Sequence, residues 1–212
     1  ELIRQRQWAA AESLFERGLD LGQGGVLYGN AMAAQVLQGH FDAAKTTLAR
    51  FGRAAPSNPG VLDMQGFLAS AQHDYIAAER AWRQERDQFK DRPVVQEGTT
   101  WELGVLAATQ GKLAQTVVRL GEAAQVGEAR SLPQDYVNVA IWLGLMDVQY
   151  RKPSNGLDRV AAALSRHPMN SMPVADRPYS ALADFYARAG RVGEAERLLA
   201  EYVRVVPEIL RR

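Results

Sequence analysis

Apolar residues recur at spacings of three, four and seven along almost the whole chain, which is the pattern of helices with one buried face. The first clear stretch, between residues 8 and 20, carries them at Trp8, Ala11, Leu14, Phe15 and Leu19. No stretch alternates with a period of two for long enough to predict a strand. The pattern therefore predicts an all-α protein. Its helices are expected over 8–20, 25–38, 41–53, 59–72, 75–90, 93–110, 113–124, 131–151, 155–166, 178–189 and 192–205.

The turn between two helices repeats with a period of 34 residues. Gly39-His40-Phe41 returns as His73-Asp74-Tyr75, and Ala44 returns as Ala78. Along the chain, residues at matching positions are Trp8, Phe41, Tyr75, Leu113, Leu157 and Val192, with spacings of 33, 34, 38, 44 and 35. A period of this length is typical of helix pairs stacked in a solenoid. Four extra residues equal about one helical turn, so the wider spacing predicts a longer first helix in the third pair.

At these positions the chain resembles the tetratricopeptide repeat family. That family places a small residue in the first helix of each pair, a glycine in the turn, and an alanine and a large apolar residue in the second helix. The last pair carries this pattern at Leu182, Ala183, Tyr186, Gly190, Ala195, Leu199 and Pro207. The second pair carries it at Gly66, Tyr75, Ala78 and Trp82, and the third at Gly104, Gly111, Leu113 and Leu120. The fourth pair departs from it, with residues 153–156 in place of the short turn.

The resemblance implies a right-handed superhelical solenoid of antiparallel helix pairs, with about five repeats and an N-terminal half repeat. It would form a single helical-repeat domain over 1–212. The approximate repeats are 1–24 (partial), 25–58, 59–92, 93–130, 131–174 and 175–212. Residues 2–7 resemble the end of a first helix without its beginning, and Gly22, Gly24 and Gly25 are expected to stop the next helix. We therefore expect this domain to be a piece of a longer protein.

Charge and motifs argue against several classes of function. The chain has 25 basic and 24 acidic residues, whereas binding to phosphates needs a concentrated basic face. It contains no cysteine, no phosphate-binding loop and no nucleophile elbow, and its histidines His40, His73 and His167 lie in predicted turns or loops. Residues 79–90 alternate in charge and are predicted to form a solvated helix face, with Glu79 paired to Arg83. We predict no enzymatic activity, no cofactor, no metal and no nucleic-acid partner.

The chain also gives no reason to expect a membrane partner. The longest apolar run, 137–146, is about half the length that spans a bilayer, and residues 1–6 do not resemble a signal peptide. There are 21 arginines against four lysines, and alanine is abundant, which suggests a GC-rich bacterial genome. We expect a cytoplasmic bacterial protein.

The resemblance further implies where a partner binds, since the first helices of such pairs line a concave groove. The candidate residues there are Asn30, Ala33, Asp63, Phe67, Trp101, Glu102, Val105, Asp184 and Arg188. The carboxylates of Asp63, Glu102 and Asp184 would repel a C-terminal carboxylate tail. We expect instead an extended or helical protein segment with apolar anchors and some positive charge. Phe67 and Trp101 have a second interpretation, as packing between neighbouring helices.

The main functional hypothesis is a protein–protein interaction scaffold that binds a peptide or protein in this groove. An alternative is the regulatory or sensory C-terminal tail of a bacterial signalling protein, such as a serine/threonine kinase, because similar alanine-rich arrays occur in such tails. A third is a ligand-binding or enzymatic role for the groove. The stretched repeats predict that any individual binding character lies within 101–142.

Overall fold

A computed structural model describes residues 8–20, 25–150 and 152–206 of the chain, without the side chains of Trp8, Leu19 and Asp20. Within these ranges the protein is all-α, with eleven α-helices, two short 3-10 turns and no strand. The helices are α1 (Trp8–Asp20), α2 (Gly25–Leu37), α3 (Phe41–Ala54), α4 (Gly60–Ala71), α5 (Tyr75–Gln88), α6 (Pro93–Thr109), α7 (Leu113–Ala129), α8 (Pro133–Gln149), α9 (Pro153–Arg166), α10 (Tyr179–Arg188) and α11 (Val192–Val205). The predicted helix end at 2–7, the glycine stop at 22–24 and Pro207 lie outside the described residues.

Each helix of the structure corresponds to a predicted helix, and most boundaries agree within two residues. The longer first helix of the third pair is confirmed, because α6 has 17 residues and α4 has 12. The largest difference is at the end of α7, and a smaller one is at the start of α9. Helix α7 continues to Ala129 instead of residue 124, because its buried face extends through Ala124 and Gly127. Helix α9 begins at Pro153 instead of residue 155, since proline is well suited to a first turn whose amide needs no partner.

A recurrent turn joins successive helices and reverses the chain. Its central residue has a left-handed backbone at Gly39 (φ 76°), His73 (φ 60°), Gly111 (φ 71°), Ser131 (φ 61°) and Gly190 (φ 79°). In the last of these turns the amide of Gly190 donates to the carbonyl of Ala187 at 3.1 Å. The next amide, of Arg191, reaches back to the carbonyl of Tyr186 at 2.8 Å. This is a Schellman-type helix end, which caps the last carbonyls and lets the next helix start after three residues.

The chain divides into two compact units, Glu1–Thr116 and Val117–Arg212, with the boundary inside α7. In the first unit α1 packs on α2, α2 on α3, α4 on α5 and α5 on α6, and α2 also contacts α4. One apolar cluster joins α2, α3 and α4 through Met32, Ala44, Phe51, Met64 and Leu68. A second cluster joins α5 to α6 through Ala78, Trp82, Leu103 and Leu106.

The second unit is built around α8, α9 and α10. Its core consists of Val137, Ala140, Ile141, Val160, Ala163, Met172, Leu182 and Phe185. Helices α8 and α9 approach closely at two glycines, since a Cβ on Gly156 would lie 2.7 Å from the carbonyl oxygen of Gly144. The predicted loop 167–177 contains the two 3-10 turns, at Met169–Ser171 and Val174–Asp176. Burial of Met172 between these turns anchors the loop to the core.

Candidate partner-binding site

Asp63 is held in place by the close contact between α4 and α5. Gly66 lies one turn after Asp63, and a Cβ on Gly66 would come within 2.5 Å of the Trp82 ring. The absence of a side chain at Gly66 therefore lets the buried indole of Trp82 lie flat against α4. In that position the Trp82 Nε1–H donates a hydrogen bond to Asp63 Oδ1 at 3.1 Å. Burial raises the pKa of the Asp63 carboxyl, and this hydrogen bond opposes the rise.

Glu85 lies one turn after Trp82 on α5 and is almost completely buried, with 5% of its surface exposed. Its Oε2 has no hydrogen-bond partner in the described part of the chain. Burial, together with the negative charges of Asp63 and Glu102, raises the pKa of Glu85 to about 8. A buried carboxyl oxygen without a partner is costly for the folded state, so this group needs a structural or functional explanation.

Glu102 brings a third carboxyl group from α6. It is half-buried and precedes Leu103, which packs with residues of α5 in the second apolar cluster. Burial and the charge of Asp63 raise the pKa of Glu102 to about 7. We call Asp63, Glu85 and Glu102 the carboxyl cluster. It combines one residue from each of three consecutive helices, and each of the three pKa values is raised.

No basic residue of the described ranges pairs with the carboxyl cluster. Among the ion pairs of the described residues, none involves Asp63, Glu85 or Glu102, and no basic group lowers the pKa of Glu85 or Glu102. The three groups also do not form a metal site, because no set of three or more acidic or histidine residues in the described ranges has that arrangement. At neutral pH the carboxyl cluster therefore retains protons in place of a bound cation.

Other predicted groove residues surround the carboxyl cluster on the same helices. Phe67 lies one turn after Asp63 on α4 and is 37% exposed, which favours its interpretation as a contact residue over packing between helices. Trp101 and Val105 are half-buried on α6, on either side of Glu102 along the chain. In contrast, Asn30 and Ala33 are half-buried on α2 and are not among the groups that act on the three carboxyls.

The remaining two predicted residues, Asp184 and Arg188, belong to α10 in the second unit. They pair with each other, since Arg188 Nε donates to both carboxylate oxygens of Asp184 at 2.8 and 2.9 Å. Both line a pocket of about 630 Å³ with Trp142 and Met146 of α8. Because the charges of Asp184 and Arg188 neutralise each other, this pocket favours a charged ligand less strongly than the carboxyl cluster does.

Sequence reasoning missed Glu85, which it assigned to a solvated helix face. That prediction is correct for Glu79, which accepts two hydrogen bonds from Arg83 at the surface, but wrong for Glu85. The signal was present in the spacing, since Glu85 follows Ala78 by seven residues and Trp82 by three, on the apolar side of α5. The alternating charges of residues 79–90 nevertheless favoured a solvated face, so this spacing was not used.

His73 and His167 each contact a neighbouring side chain that belongs to a turn or a helix end. His73 Nδ1 lies 2.9 Å from the Tyr75 hydroxyl, within the turn before α5. His167 Nε2 lies 2.8 Å from Glu128 Oε1, and Arg166 forms two further hydrogen bonds to the same carboxylate. These bonds join α7 to the end of α9, and the pKa of Glu128 is lowered by them despite an opposing effect of burial.

Together these features define an all-α protein of packed adjacent helix pairs with an uncompensated carboxyl cluster in its first unit. No protein-family model and no curated protein sequence matches the chain. Among solved structures, the fold is similar to the crystal structure of BtubC (BKLC) from P. vanneervenii, with a TM-score of 0.57. The two chains are 15% identical, and the similarity covers 94% of this chain and 89% of BtubC. At this identity the likeness shows a shared fold alone. None of the described helices is long and apolar enough to cross a membrane.

Proposed function

We propose that this protein is a tetratricopeptide-like scaffold that binds a segment of another protein on the surface of α4 and α6. Support comes from the recurrent helix pairs, from the turn that is repeated five times, and from the family pattern at Gly66, Ala78 and Trp82. In this proposal the helix pairs stack in the right-handed superhelix that the family resemblance implies. The first helix of each pair then faces the partner.

One observation carries the proposal, namely the exposed ring of Phe67 one turn away from the half-buried carboxyl of Asp63, which pairs with no basic residue of the described ranges. Aromatic rings are enriched at protein interfaces, and an acidic group beside one can pair with an arginine of the partner, which is among the residues that contribute most to binding. Glu102 on α6 adds a second carboxyl to the same surface. An apolar residue and a basic residue of a bound segment would satisfy both features together.

The test is a selection of random dodecapeptides by the immobilised protein, followed by measurement of Kd for the enriched peptides. Phe67→Ala is expected to weaken these peptides by about tenfold or more, because the ring is a principal contact. Ile76→Ala is the matched control, since Ile76 is a 75% exposed apolar residue on the adjoining α5. The proposal fails if no peptide is enriched, or if the two variants bind the enriched peptides as well as each other.

A further inference from the structure

The carboxyl cluster brings three acidic groups together in a partly buried place, where no basic residue of the described ranges pairs with them. Like charges close together disfavour folding, and soluble proteins pair buried charges with cations or with hydrogen-bond donors. Here one donor is supplied, the Trp82 indole, and it serves Asp63 alone. Basic residues are frequent on α5, yet Arg83 is bound to Glu79 and none pairs with the cluster in the described residues.

A second observation is independent of the clustering. Only 5% of the surface of Glu85 is exposed, and its Oε2 has no hydrogen-bond partner among the described residues. Asp63 and Glu102 are half-buried on α4 and α6, which both pack against α5, and the charges of both act on Glu85. This oxygen therefore lacks a hydrogen-bond donor within the described residues.

The acidic character of the cluster favours one kind of cationic group over others. A metal ion does not suit the three carboxyls, which lack a metal-binding arrangement in the described structure. A guanidinium group suits them better than an ammonium group, since its planar fork has five donors that can serve carboxyls on different helices simultaneously. It is also more weakly hydrated, and so costs less to move into a half-buried site.

We infer that the carboxyl cluster is a receptor for an arginine side chain of the bound segment, with Glu85 Oε2 as its innermost acceptor and Asp63 and Glu102 on either side. This inference deepens the proposed function and rests on it. Phe67 would contact an apolar neighbour of that arginine, because Phe67 and Asp63 are one helical turn apart. The occupant is thus a protein segment in which an arginine lies close to an apolar residue.

The inference explains why the cluster is stable without a partner. With a pKa of about 8, Glu85 is mostly protonated at neutral pH, and Glu102, with a pKa of about 7, is partly protonated, which reduces the repulsion among the three carboxyls. An incoming guanidinium replaces about one of these protons, which passes to solvent, so the net charge of the site stays the same. Because Glu85 is buried, the side chains around it have to move apart to admit the guanidinium.

The experiment uses the enriched dodecapeptides of the previous section, resynthesised with citrulline in place of arginine. Citrulline keeps the shape of the side chain and removes its charge. We expect arginine to be over-represented in the selected peptides and expect citrulline to weaken their binding to the wild-type protein by about thirtyfold. For the double variant Glu85→Gln/Glu102→Gln, citrulline should change Kd by less than about threefold.

Asp87→Asn is the matched control, because Asp87 is an exposed acidic residue on the same helix, two positions from Glu85. It should bind both forms of each peptide like the wild type. The inference is overturned if enriched peptides bind at Phe67 but lack arginine, or if the thirtyfold preference for arginine persists in the double variant. In both cases the proposed function would survive. Failure to enrich any peptide would remove the proposed function itself.

Discussion

The indole nitrogen of Trp82 donates to the carboxylate of Asp63 at 3.1 Å, so that a buried core residue holds a residue of the candidate binding surface. The same ring fills the space that Gly66 leaves open on α4. Packing of the helix pair and geometry of the carboxyl cluster therefore depend on one contact. Changes at that contact should affect stability and binding together.

Gly66→Ala should destabilise the protein strongly. A new Cβ would lie 2.5 to 2.8 Å from three atoms of the Trp82 ring, which is buried and cannot move without repacking α4 and α5. We expect the free energy of unfolding in urea to fall by about 2 to 3 kcal/mol. Gly98→Ala is the control, because Gly98 is also helical and has open space at its Cβ, so alanine there should be neutral or stabilising. Equal effects of the two variants would contradict this packing.

The stability of the protein should fall as pH rises through neutrality, because of Glu85. The folded state keeps the Glu85 proton up to about pH 8, whereas the unfolded chain loses it near its ordinary pKa of 4.5. Between these values the folded state binds more protons, so the free energy of unfolding decreases with pH. The acidic neighbours on the packed helices, Asp63 and Glu102, act in the same direction.

Glu85→Gln should remove much of this slope. Compared with the wild type, we expect the variant to gain on the order of 3 kcal/mol at pH 9 relative to pH 5, measured by urea unfolding at both values. Asp87→Asn removes an exposed charge from the same helix and should leave the slope as it is. A Glu85→Gln variant with the wild-type slope would show that Glu85 is ionised in the folded protein at neutral pH.

Two glycines near the start of α11 should respond in opposite ways to alanine. Gly190 has a φ of 79° and no atom near its Cβ position, so only backbone strain opposes a side chain there. Gly190→Ala should lower the free energy of unfolding by about 1 kcal/mol. Gly193 is helical with equally open space, and Gly193→Ala should raise it by about 0.5 kcal/mol. Thermal unfolding of the two variants distinguishes strain from crowding, and two changes of the same sign would refute the assigned turn.

Gly156→Ala should separate α8 from α9. Its Cβ would meet the carbonyl oxygen of Gly144 at 2.7 Å, and backbone atoms cannot rotate away as a side chain can. We expect a loss of about 2 to 3 kcal/mol in chemical unfolding. Alanine at Gly121 of α7, where the Cβ position is open, provides the comparison and should cost little. If Gly156→Ala is as stable as the wild type, the two helices do not approach as closely as described.

The order and approximate length of the helices could be predicted from the sequence because a spacing of three and four residues directly reports one buried face. The turns could be predicted where glycine fills the left-handed position, as at Gly39 and Gly111. Ser131 was harder to recognise, since a non-glycine residue in this conformation has little signature in the sequence. The end of α7 was predicted five residues too early, because the residues after Ala124 show no strong apolar periodicity although they continue the helix to Ala129.

For the candidate site, the sequence predicted Asp63 and Glu102 but not their connection through Glu85. Charge alternation on α5 indicated a solvated face, and only the tertiary packing of α4 and α6 on either side buries Glu85. The pKa of a carboxyl depends on that packing and on neighbours that are distant in sequence. The pairing of Asp184 with Arg188 was accessible from their spacing of four, although both were interpreted as partner contacts.

Proton release is the most direct test of arginine binding at the carboxyl cluster. An enriched arginine peptide is titrated calorimetrically into the protein at pH 7, in two buffers that differ in ionisation enthalpy. Because Glu85 and Glu102 hold protons that the guanidinium replaces, the heats should differ by an amount equivalent to about one proton released per peptide. The double variant Glu85→Gln/Glu102→Gln should show no such difference. Equal heats for the wild-type protein in both buffers, with the peptide bound, would contradict a protonated cluster that receives the arginine.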